Sequence, residues 1–111
     1  MNKIKSPAIS PGEVVREELT ARGWTQQQFA DVLGKSRQFV NAFLRGKSSL
    51  TFDVAFRLEA ALDVPADTWL RMEREYRTRL ERSKYQRITK AVSERARRLD
   101  SVAEGRKRYG Q

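Results

Sequence analysis

Apolar residues recur along this chain at spacings of three and four, the mark of helices that each bury one face. Val15 and Leu19 stand four apart with Val14 beside them. Ahead of them, Ser10-Pro11-Gly12-Glu13 offers an N-cap, a proline at the first helical position and a capping-box glutamate. The pattern predicts a first helix over about 11–21, closed by Gly23. Thr25 and Gln28 repeat the capping-box spacing before Phe29, Ala30 and Leu33, and Gly34 marks the end of this short second helix. Ser36 caps a third helix, with Val40, Phe43 and Leu44 inward and Gly46 as its stop. Thr51 opens a fourth, carrying Val54, Ala55, Leu58, Ala61 and Leu62, and Pro65 a fifth, carrying Trp69, Met72, Tyr76 and Leu80. Trp69, Met72 and Tyr76 either close the core or form a face between subunits, and side chains of this size fit the core better. The pattern weakens from Glu81 to Lys84 and resumes at Tyr85, Ile88, Val92, Leu99 and Val102, which predicts a last amphipathic helix of roughly 85–102. Gly105 to Gln111 reads as a loose basic end and residues 1–9 as an arm. No strand-like alternation and no internal repeat is present, so the expected fold class is all-α.

Composition narrows the chemistry. The 111 residues suit one modest core with an appendage. There is no Cys and no His, which removes disulfides, thiolate and imidazole metal sites, Cys nucleophiles and His general bases. Neighbouring carboxylates such as Glu17 and Glu18 do not converge on one side of a helix, so no enzyme, metal or cofactor is expected. No window is apolar enough to span a membrane and Met1 to Ser10 lacks a secretory signal, so the expected location is the cytoplasm.

The net charge of +9 favours a polyanionic partner. It is unevenly placed: residues 1–70 carry nine basic and eight acidic residues, residues 71–111 fourteen and six. Within the balanced part, residues 35–47 hold Lys35, Arg37, Arg45 and Lys47 and no acid. That stretch is the third helix and its flanks. Two short helices joined by a tight link at Gly34-Lys35 form a helix-turn-helix, in which Ala30 is small at the crossing, Gly34 permits the turn and Val40 fills the space between. The exposed side of the second helix then enters a major groove. The whole is read as a five-helix helix-turn-helix domain over 10–80, with a basic, partly helical extension over 81–111.

Arg pairs bidentately with guanine, and Gln or Asn with adenine, so Arg37, Gln38 and Asn41 are the candidate base contacts. Gln26, Gln27, Lys35, Ser36, Arg45 and Lys47 are the candidate backbone contacts, with the free N–H groups at the helix start adding to them. Phe39 stands at an edge position, where it either meets a thymine methyl or folds back on the domain. Arg16, Glu17 and Glu18 read as a solvated face.

Residues 10–70 resemble the HigA-type antitoxin branch of the phage-repressor-like helix-turn-helix family. The likeness rests on the Pro11-Gly12-Glu13 opening, Ser36-Arg37-Gln38 followed by Asn41, Gly46-Lys47 after the third helix, the Thr51 start and the Thr68-Trp69-Leu70 finish. The resemblance implies a homodimer that neutralises a small ribosome-dependent endoribonuclease toxin and represses its own operon through a palindromic operator. It matches base-reading positions to Arg37, Gln38 and Asn41, and phosphate positions to Ser36, Gln26 and Arg45. Phe39 and the long basic tail depart from the family pattern. Two other functions stay open: a stand-alone repressor of phage type, and an RNA-associated protein that uses the tail while the helix-turn-helix is only scaffold.

Overall fold

The computed structural model describes the backbone of residues 9–110 and side chains as far as Ala103. Of the expected arm over 1–9, all but Ile9 lies outside the described residues, as does Gln111. The described residues form α1 (Pro11–Arg22), α2 (Gln26–Leu33), α3 (Arg37–Leu44), α4 (Phe52–Leu62), α5 (Ala66–Arg82), a 3-10 turn (Ser83–Tyr85) and α6 (Gln86–Gly110), with no strand among them. The protein is all-α. None of these helices is long and apolar enough to cross a membrane.

Local chemistry sets most of the boundaries. The Ser10 hydroxyl accepts the Glu13 N–H at 3.2 Å while the Glu13 carboxylate accepts the Ser10 N–H at 3.3 Å. Thr25 and Gln28 make the same reciprocal pair at 3.0 and 2.9 Å. Ser36 and Thr51 each accept one N–H of the first turn that follows, at 3.0 and 3.2 Å. Each satisfies donors that a helix start otherwise leaves unpaired. Gly34 adopts a left-handed φ of 72°, which lets the Lys35 N–H turn back onto the Ala30 carbonyl at 3.0 Å and keeps the link to α3 to two residues.

The chain divides into two compact units at Thr78–Arg79. In the first, α2 packs on α3 and α4, and α1 packs on α3. The core contains Val15, Phe29, Ala30, Val40, Leu58 and Trp69, all fully buried. Trp69 therefore belongs to the core, with Met72 packed against it. At the far end the structure corrects two expectations. Helix α6 does not stop at 102 but runs through Gly110, so the loose end expected from Gly105 is helical as far as that residue. A glycine inside a helix costs only about 1 kcal/mol, too little to end a helix when good helix formers surround it. The weak stretch around 81–84 corresponds to the passage from α5 into the 3-10 turn.

Candidate nucleic-acid interface

Helix α3 owes its exposure to its own asymmetry. Val40, Phe43 and Leu44 are buried, and the opposite side is left to Arg37, Gln38, Asn41 and Arg45, all exposed. Arg37, Gln38 and Asn41 line one shallow open depression. Arg37 and Gln38 make no side-chain hydrogen bond or ion pair among the described residues, so both forks are available to an incoming acceptor. Asn41 Nδ2 donates to Gln26 Oε1 and Arg45 donates to Asn41 Oδ1, each at 3.4 Å. The start of α2 and the end of α3 thus meet over Asn41. Ser36 stands beside them, its hydroxyl oxygen occupied as the cap and its O–H free to donate.

The remaining candidates are placed differently. Lys35 is not a free charge: its ammonium pairs with Asp53 at 3.2 Å and sits 5.2 Å from the centre of the Phe39 ring. Gln27 donates to Asp31 at 3.0 Å along its own helix. Lys47 is exposed. Phe39 is half-buried and stacks on Phe43 at 6.1 Å, so the ring folds back onto the domain.

Several residues that support this surface escape a sequence reading. Arg16 is no part of a merely solvated face, since its guanidinium donates at 3.1 Å to the Leu44 carbonyl, one of the unpaired acceptors at the end of α3. Glu18 pairs with Arg22 at 3.1 Å, and Glu17 is exposed as expected. Arg57 donates to the Leu33 carbonyl at 2.6 Å and to Asp53 at 3.0 Å, tying the end of α2 to α4. The Arg57 hydrogen bond, and after it that of Lys35, holds the Asp53 carboxyl below its ordinary value of 3.8. The buried Glu73 accepts the Leu50 N–H at 3.2 Å and the Arg77 guanidinium at 2.8 Å, while Arg77 also donates to the Ser48 carbonyl at 3.0 Å. Helix α5 thereby fastens the loop that follows α3. The i,i+4 spacings of Asp53 with Arg57 and Glu73 with Arg77 were the available signal, but they do not reveal the carbonyls reached across the fold. No group of three or more carboxylates able to hold a metal exists among the described residues.

Comparison with known proteins matches the helix-turn-helix family to residues 15–69. Virulence-associated protein I of Dichelobacter nodosus is 36% identical over 75 residues, covering 67% of this chain and 69% of that protein. Among solved structures, an addiction module antidote protein of the HigA family from Coxiella burnetii is similar with a TM-score of 0.71 and 28% identity, over 78% of this chain and 95% of that one. The Pseudomonas aeruginosa antitoxin HigA, solved with the higBA promoter, is similar with a TM-score of 0.64 and 28% identity, over 77% of this chain and 90% of its own.

Proposed function

The chain belongs to the HigA-type branch of the phage-repressor-like helix-turn-helix family, and from that membership we propose a DNA-binding antitoxin that represses its own operon through a palindromic operator. It is a regulator rather than an enzyme. The observation that carries this proposal is the open side of α3, where Arg37, Gln38 and Asn41 line one depression with Gln26 and Arg45 at its margin. Arg37 meets a guanine edge, and Gln38 and Asn41 meet adenine edges. Ser36 and Lys47 contact the phosphate backbone, with Gln27 and Lys35 joining only by exchanging Asp31 and Asp53 for phosphate. Two copies of the chain read two half-sites about 34 Å apart. The finer part of the proposal is a small endoribonuclease toxin as the protein that the antitoxin neutralises.

Footprinting the full chain on the DNA upstream of its own gene is expected to protect two half-sites of related sequence. Absence of protection throughout that DNA contradicts the DNA-binding proposal. Co-expression with the product of the adjacent gene addresses the toxin: a stable complex and relief of growth arrest are expected. A chain that protects its own promoter but has no such neighbour is a stand-alone repressor of the same fold.

A further inference from the structure

Helix α6 is 25 residues long and carries an apolar stripe that nothing within its own unit covers. Tyr85, just ahead of it, and Ile88, Val92, Leu99 and Val102 are between 48% and 67% exposed. Their spacing is that of a seven-residue repeat: Tyr85, Val92 and Leu99 hold its first position, Ile88 and Val102 its fourth, with Arg95 at the fourth position between them. Positions flanking this seam are small, namely Thr89, Ala91, Ala96 and Ala103, apart from Arg98 and Lys84. The remaining charges, Arg87, Lys90, Glu94, Arg97 and Asp100, fall on outer positions.

We propose that this stripe is a dimerisation seam, occupied by α6 of a second copy of the chain running antiparallel. A seven-residue period sustained over more than two repeats suits another helix winding against it, and a second copy presents the same stripe with the same period. Small flanking residues let the two backbones approach closely. The outermost charges on paired helices are separated by roughly 20 Å, about two and a half Debye lengths at physiological salt, so they oppose pairing only weakly. Arg95 selects the direction. In a parallel pair it would lie against its own copy inside the seam, whereas the antiparallel register that sets Ile88 against Leu99 places Arg95 beside Val92. Antiparallel helix dipoles also offset one another. Covering these side chains on both copies buries on the order of 1,000 Å², the lower threshold for a specific interface. Pairing in this way deepens the homodimer of the proposed function, and its test contains no DNA, so failure here leaves the α3 surface untouched.

The full chain, at micromolar concentration and without DNA, is expected to sediment as a dimer. Ile88→Glu combined with Leu99→Glu changes two exposed positions, so the helical content stays that of the wild type while the dimer dissociation constant rises roughly a hundredfold or more. Because the chain has no cysteine, introduced thiols report direction directly. Ile88→Cys mixed with Leu99→Cys should oxidise to a mixed disulfide dimer, and Ile88→Cys alone should not. A monomeric wild type, a dimer indifferent to the double glutamate variant, or efficient self-crosslinking of Ile88→Cys overturns the proposal.

Discussion

A methyl group at position 12 would collide with the Phe43 carbonyl oxygen and come within 3.1 Å of Leu44 Cα. The first turn of α1 therefore lies directly on the backbone at the end of α3, and Gly12 sets how closely the reading helix is backed. Within an ordinary helix, Gly→Ala gains about 0.5–1 kcal/mol. Gly12→Ala should instead lose about 1–3 kcal/mol, because backbone rather than a flexible side chain must move. Thermal unfolding checks the sign, and an unchanged or raised midpoint contradicts it. Asp53 yields a prediction of a different kind. Its carboxyl is held below 3.8 by Arg57 and then Lys35. A group whose folded pKa is depressed contributes stability that is present above its unfolded value and lost as pH falls through the folded one. Asp53→Asn should thus be less stable than the wild type near neutral pH, with the gap closing as the pH is lowered below the ordinary carboxylate range. Denaturation at both pH values reads this, and a gap of equal size throughout would exclude Asp53 as its source.

At the scale of elements, α5 does more than close the core. Through Glu73 and Arg77 it holds the Leu50 N–H and the Ser48 carbonyl, so the loop after α3 has fixed partners. Glu73→Ala should cost about 1–3 kcal/mol, since it leaves a buried N–H and a guanidinium without their acceptor. Glu73→Gln, which keeps an oxygen for Leu50, should cost less, and chemical denaturation of the two variants gives the order. These ties also explain what the sequence revealed and what it concealed. Caps at Ser10, Thr25, Ser36 and Thr51, and stops at Gly23, Gly34 and Gly46, act within a few residues and were legible from spacing alone. The bonds of Arg16 to Leu44, Arg57 to Leu33 and Glu73 to Leu50 join residues 28, 24 and 23 apart, and no local pattern announces them. Lys35 was legible as a basic residue near the turn, but its pairing with Asp53 depends on the packing of α2 against α4. Gly105 misled because glycine stops a helix when the chain there turns left-handed, as at Gly34, and not by its identity alone.

For the molecule as a whole, the charge is unevenly distributed. Residues 1–70 are nearly balanced, with their acid-free stretch on and around α3, and residues 71–111 carry most of the excess. The proposed reading of two half-sites by two copies requires those half-sites to face the same side of the duplex. Inserting about 5 bp, half a helical turn, between them should abolish joint occupancy, and inserting about 10 bp should restore part of it. Gel shifts on such spaced operators read the outcome, and occupancy indifferent to spacing would mean that the copies bind independently. Any contact of the basic tail with phosphate would add a salt-dependent, sequence-independent component, so discrimination must be judged against random DNA at one ionic strength. The most direct test of the account is the affinity of Arg37→Ala/Gln38→Ala for the chain's own promoter, measured beside the wild type on promoter and random duplexes. Each substitution should remove about 1–3 kcal/mol of promoter binding while thermal unfolding stays as in the wild type, since both side chains lie outside the core. A doubly substituted protein that binds its promoter as tightly and as selectively as the wild type would show that α3 is not the helix that reads DNA.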